Sequence, residues 1–203
     1  MKIDIAWLIK KNACTAGINW FLVCEERDVE MICKQLMAES KFVWANWLLS
    51  RALDRDNKIR YAIYAARKVL HIFEEKYPKD NRPRKAIEDS EFCLKGRLPR
   101  QAATYAANVA VSAYEMADAD AAANYTINNI AEVAYSAYAT AKTAAAVSAT
   151  ECASYAYIAV DSAVHVADNP RILTLGAPTF YIFWDDFIDY GLQLLKQQGE
   201  QND

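Results

Sequence analysis

Arg60, Tyr64, Arg67, His71 and Glu75 follow one another at steps of four, three, four and four. That spacing lines side chains along one face of an α-helix. Two guanidinium forks, a phenol and an imidazole within about 16 Å suit an anion: arginine pairs bidentately with phosphate or carboxylate, and flat rings offer stacking surface. Arg82 and Arg84 follow just past Pro78 and are placed to close the same site. Arg60, Tyr64, Arg67, His71, Arg82 and Arg84 therefore form the candidate ligand-binding set. The same spacing also describes a solvated face on which Arg67, His71 and Glu75 support the helix through i,i+4 contacts.

No comparable pattern points to catalysis. The chain carries no G-x-S-x-G, no phosphate-binding glycine loop and no H-E-x-x-H, so no catalytic residue is assigned and an enzyme is the least favoured class. His165 lies in VDSAVHVAD with no identifiable nucleophile beside it and reads as a core histidine. The two histidines are far apart and no C-x-x-C occurs. Asp185 and Asp189, one turn apart, read as a solvated acidic face before they read as cation ligands, so no metal and no cofactor is assigned. Arg51 follows Trp47 by four and Trp44 by seven, which stacks its guanidinium on an indole in a structural role.

The elements that must position these residues all read as helices. Proline and glycine number five each and act as punctuation, chiefly at Gly17, Pro78 to Pro83, Gly96 to Pro99 and Pro170 to Pro178. Helices are expected over 4–12, 15–24 and 26–38, and then over 40–53, where Trp44, Trp47 and Leu48 share a face. A polar turn at Asp54 to Asn57 precedes a helix over 58–77, whose apolar stripe is Ile59, Ile63, Ala66, Leu70, Phe73 and Tyr77. Arg84 to Leu94 can form another short helix.

Residues 100–168 contain neither glycine nor proline, and 25 of the residues from 101 to 168 are alanine. A single rod of that length would reach about 100 Å and could not bury its own tyrosines, so roughly three helices folded on each other are expected. Capping-box patterns occur at Ser112, Asn129 and Ser148, the last two near plausible turns, and the Asp118 to Asp120 stretch is another candidate break. Alanine faces let helix axes approach to about 8 Å while each tyrosine plugs a gap with its hydroxyl at the rim. A final helix is expected over 179–196, followed by a fraying tail. The expected architecture is all-α: one compact multi-helix bundle with an aromatic, basic half (1–98), Ala/Tyr-rich helical hairpins (99–168) and a closing helix (179–196).

At 203 residues and 54% hydrophobic composition, one domain with a sizeable core is the default. The five cysteines, at 14, 24, 33, 93 and 152, form no close pairs and read as reduced thiols. Charges interrupt the opening segment, and no later stretch reaches spanning length without charge, so a cytoplasmic protein with no membrane association is expected. Net charge is only −3, but it is unevenly placed. From Arg55 to Lys85 there are ten Lys or Arg against four Asp or Glu; from Gln101 to Asp168 Lys142 is the only Lys or Arg against seven carboxylates. Such faces can attract each other across the fold or meet a partner. The overall acidity argues against nucleic acid.

Residues 44–88 resemble the signature region of the fifth predicted immunity-protein family of bacterial polymorphic toxin systems. The matching pieces are W-A-x-W-L at 44–48, R-Y-A-x-x-A at 60–65, V-L-x-x-x-E-x-x-Y-P at 69–78 and R-P-R-x-A-I-E at 82–88. The Ala-rich region is also similar to that family, and N-A-C-x-x-G-x-x-W-F at 12–21 resembles an opening module of similar proteins. The resemblance implies an all-α fold and neutralisation of a protein toxin by binding. Similar proteins in phages extend the expectation to a defence effector as partner. The residues leave two alternatives: a counter-defence sponge for a phosphate-bearing nucleotide signal, held by the arginine set, and self-association into a homo-oligomer through Ala/Tyr helices.

Overall fold

The structure is a computed structural model that describes residues 1–123, 129–167 and 180–201. Regular structure in those residues is helical, apart from one isolated bridge between Lys2 and Asp28. Ten helices follow in order: α1 (Ile5–Lys10), α2 (Thr15–Val23), α3 (Val29–Ala38), α4 (Phe42–Ala52), α5 (Arg55–Lys76), α6 (Arg82–Leu94), α7 (Arg100–Ala123), α8 (Asn129–Ala145), α9 (Ala149–Ala167) and α10 (Phe180–Glu200). The all-α expectation holds, and no described helix is long and apolar enough to cross a membrane.

Local chemistry sets the helix boundaries. Asp4 accepts from the Trp7 amide at 2.8 Å and so starts α1. The Glu26 carboxylate accepts from the amides of Arg27 and Asp28 at 2.7 and 2.8 Å, which holds a loop where helix was expected. Asp28 then caps the Glu30 amide, so α3 begins at Val29 and not at residue 26. The polar turn expected at Asp54 to Asn57 is largely helix. Asp54 accepts from the Asn57 amide at 2.8 Å, which places Arg55 to Asn57 in the first turn of α5.

The Ala-rich tract breaks at two of the expected places. Asn129 opens α8, and before α9 the Glu151 amide donates to Ser148 Oγ at 3.0 Å while the Glu151 carboxylate receives the Val147 amide. Ser112 and the Asp118 to Asp120 stretch lie inside α7. Ser112 caps nothing, because its hydroxyl donates to Val109 O one turn back and accepts from Arg82 Nη1. Helix α10 runs on to Glu200, where a frayed tail was expected; the Asp54 amide donates to Gln198 Oε1 at 2.7 Å and ties that end to the α4–α5 junction. The punctuation from Pro170 to Pro178 lies outside the described residues.

Helix α8 packs against α5, α6, α7 and α9, while α10 lies across α3, α4, α5 and α9. Alanines 103, 106, 107, 110 and 113 of α7 and 131, 134, 137, 141 and 144 of α8 are buried. Small side chains allow this close stacking, and the buried hydroxyls of α8 find carbonyls: Ser136 donates to Ala159 O at 2.7 Å, and Thr140 to Ser136 O at 2.9 Å. The stripe of α5 is buried as expected from Ile59 to Phe73. Large side chains concentrate elsewhere, in a cluster joining α1 to α5 with α9 and α10, where Phe42 stacks on Trp184 at 6.0 Å.

Candidate functional site

The six residues of the candidate anion set point in several directions. The Tyr64 hydroxyl donates to Asp186 on α10 at 2.8 Å, and its ring stacks on Tyr190 at 4.0 Å. Burial, then the Asp186 contact, raises its pKa. Arg67 pairs with Glu91 on α6 through Nη2 and Nε, at 2.6 and 2.7 Å. Arg84 grips Glu74 through Nε and Nη2, at 2.6 and 2.7 Å. Arg82 binds Asp80 and reaches Ser112 on α7 at 2.9 Å, and its hydrogen bonds hold the Asp80 carboxyl below its ordinary pKa. His71 is exposed. Arg60 is exposed at an open polar cleft of about 410 Å³ between the start of α5 and the end of α10. Three of the four guanidiniums are thus engaged by carboxylates of their own chain.

Contacts of the same kind join the oppositely charged regions: Lys76 lies 3.4 Å from Asp120, which also accepts the Tyr77 hydroxyl at 2.8 Å. Arg55, counted in the basic stretch, donates to Ala144 O and Ala146 O and so closes the C-terminal end of α8. His165 is not in the core. Its side chain is exposed, with Nδ1 2.8 Å from Asp161 O on the outward face of α9. Among the described residues no group of three or more His, Cys, Asp and Glu is placed to hold a metal ion.

A different place has the shape of a binding site. A cavity of about 260 Å³ opens between α1, α2, α3, α4 and α9. Trp20, Trp44, Trp47 and Tyr157 form its aromatic walls, Leu8 and Leu36 supply aliphatic surface, and no charged side chain lines it. An apolar concavity with few polar groups is the usual form of a small-ligand or side-chain pocket.

Each wall is held from behind. The Trp20 indole donates to Glu39 at 2.7 Å and meets Trp44 edge-on, with ring centres 6.4 Å apart. Lys41 bridges the same Glu39 at 2.7 Å and lies 5.9 Å over Trp44. Buried Asn46 donates to Tyr157 O at 3.2 Å and so fixes α9 against α4. At the floor of the turn between α1 and α2, Asn12 adopts a left-handed conformation with φ of 59°. Cys14 then opens α2 by accepting from the Gly17 amide at 3.3 Å.

Arg51 lies over Trp47 at 4.8 Å, the stacking expected from their spacing. Its Nη1 is buried and has no hydrogen-bond partner among the described residues. Burial lowers its pKa from the ordinary value, yet a guanidinium stays protonated near neutral pH.

The two motifs that carry the resemblance at the start of the chain meet here. Every specified position of N-A-C-x-x-G-x-x-W-F at 12–21 lines the cavity, as do Trp44, Trp47 and Leu48 of W-A-x-W-L. The shared face of Trp44, Trp47 and Leu48 was legible from spacing. The convergence of α2 and Tyr157 on it is tertiary and had no local signal. The chain matches no family model, no curated protein and no solved structure.

Proposed function

We propose that this chain is a binding protein that works without catalysis, holding a protein partner by taking one of the partner's apolar or aromatic side chains into the tryptophan-lined cavity. The observation that carries the reading is the convergence of two sequence motifs, 32 residues apart at their starts, on one open apolar concavity. Exposed apolar concavities mark places where a partner is held, and aromatic-walled pockets are where single anchor residues gain most. The resemblance of residues 44–88 supports a toxin or defence effector as the partner, neutralised by sequestration. The pairing of Arg67, Arg82 and Arg84 with Glu91, Asp80 and Glu74 favours this over capture of a phosphate-bearing small molecule, which would need those forks free.

Selection of random peptides displayed on phage tests it with no partner specified in advance. Wild-type protein enriches peptides with an aromatic or large aliphatic anchor. Two substitutions remove that binding while the fold persists: Ala13→Trp, which fills the cavity, and Val43→Glu, which sets a carboxylate at a lining position that is half-exposed. Peptides that bind both variants as tightly as wild type would show that the cavity is not the site.

A further inference from the structure

We propose that the segment received by this cavity is anionic beside its apolar anchor, and that Arg51 supplies the countercharge. This rests on the cavity being the binding site, and it specifies what the cavity selects.

Three observations carry it. Trp44 and Leu48 line the cavity and Arg51 follows them at steps of four and three on α4, so it stands beside the lining, about 6 Å further along the helix than Trp47, without being part of it. Its guanidinium rests against Trp47, whose ring is part of the wall. Its Nη1 is buried without an acceptor among the described residues, unlike Arg67, Arg82 and Arg84, which all grip carboxylates. Buried donors are nearly always satisfied, and a buried nitrogen of a charged group without an acceptor is poorly tolerated.

The surroundings match an incoming carboxylate. The lining contains no acidic residue to repel one. The ammonium groups of Lys11 and Lys41 lie over Trp7 and Trp44, so three cations stand on tryptophans around this region. Lys41 is already paired with Glu39 at 2.7 Å, and of the three cations only Arg51 has a buried nitrogen without an acceptor among the described residues. A carboxylate one or two bonds from an aromatic or aliphatic anchor would bring two acceptor oxygens to a planar fork, the pairing that arginine forms best. Such a group occurs where Asp or Glu adjoins an aromatic residue, or at a C-terminal aromatic residue.

Two probes of one shape and different charge separate the steps. The protein, labelled with ¹⁵N, is titrated with 3-phenylpropionate and with 3-phenylpropionamide, and the indole N–H resonances of the five tryptophans are followed. The expected result is perturbation of Trp20, Trp44 and Trp47, with the acid binding about tenfold tighter than the amide or better. That preference persists at about 0.5 M salt, because a buried pair is screened far less than an exposed one. In Arg51→Met the acid and amide bind alike, while in Arg51→Lys, which keeps a charge but not a fork, part of the preference survives. Equal affinity of the two probes for wild type would overturn the inference and leave the cavity as a neutral apolar site. A preference unchanged in Arg51→Met would overturn the role of Arg51. Failure of both probes to move the three indoles would overturn the cavity reading itself.

Discussion

Tyr61 and Tyr64 stand three residues apart on α5, and removing their hydroxyls is expected to change stability in opposite directions. Tyr61 is wholly buried, and its Oη has no hydrogen-bond partner among the described residues. Burial holds its pKa well above the ordinary range, so the group is a neutral phenol whose donor is unmet. An unsatisfied buried hydroxyl costs about 1–3 kcal/mol. Tyr61→Phe removes that cost and forfeits only the contacts of one oxygen, at about 0.1–0.2 kcal/mol for each atom pair. The expected net effect is a gain of about 1 kcal/mol, or about 2–4 °C in Tm for a chain of this size. Tyr64→Phe breaks the 2.8 Å bond to Asp186 on α10. It should cost about 0.5–1.5 kcal/mol, the neutral-bond range, because solvent reaches this half-buried pair. Urea unfolding of the two variants beside wild type, compared by midpoint at constant slope, reads both effects. A loss of 1 kcal/mol or more in Tyr61→Phe would refute the reasoning, because it would mean that a buried water or the nearby Cys33 thiol satisfies the hydroxyl.

Two further predictions follow from the packing of α10 and α9. Gly191 lies where a Cβ would come within 2.8 Å of Leu49 Cδ1 and 3.1 Å of Tyr61 Cε2. Gly191→Ala should therefore lose about 1–3 kcal/mol to overpacking, against a helix-propensity gain of about 1 kcal/mol, and the urea midpoint should fall. Asp161 is half-buried, and burial raises its pKa above the ordinary 3.8, against the opposing charge of His165. The folded state therefore holds this proton more tightly than the unfolded state, and stability falls as pH rises through the raised value. Asp161→Asn should accordingly stabilise the protein at pH 7 and leave it unchanged below about pH 3.5. A substitution effect that is equal at both pH values would contradict the burial argument.

Much of the fold was legible because its signals are local. The stripe from Ile59 to Phe73 is a periodicity, the start of α9 is a capping pattern at Ser148, and the stacking of Arg51 on Trp47 is a spacing of four. The break expected at Asp118 to Asp120 does not occur, and the capping pattern at Ser112 sits inside the same unbroken helix, where its hydroxyl turns back to Val109 O. The candidate site shows the same division. Helical spacing put Arg60, Tyr64, Arg67 and His71 in sequence along α5, but spacing carries no information about what lies opposite. Glu91 of α6 and Asp186 of α10 engage Arg67 and Tyr64, and Arg84 of α6 reaches back to Glu74 on α5, so each pairing depends on how the helices pack.

The cavity follows from how side-chain size is distributed along the chain. In α7, α8 and α9 the buried positions are mostly alanine, so these helices close on one another and on α5 with small gaps. Helices α2 to α4 instead carry Trp20, Phe21, Trp44 and Trp47, which hold their backbones apart. Bulky rings fill space efficiently only when shapes interlock, and three indoles around one turn do not. The hydrogen bonds from Trp20 to Glu39 and from Asn46 to Tyr157 O prevent the rings and α9 from collapsing inward. An alanine-based scaffold thus presents an aromatic concavity that stays open, and the Arg51 guanidinium stacked on its Trp47 wall, with Nη1 buried, gives that concavity a sign of charge to select.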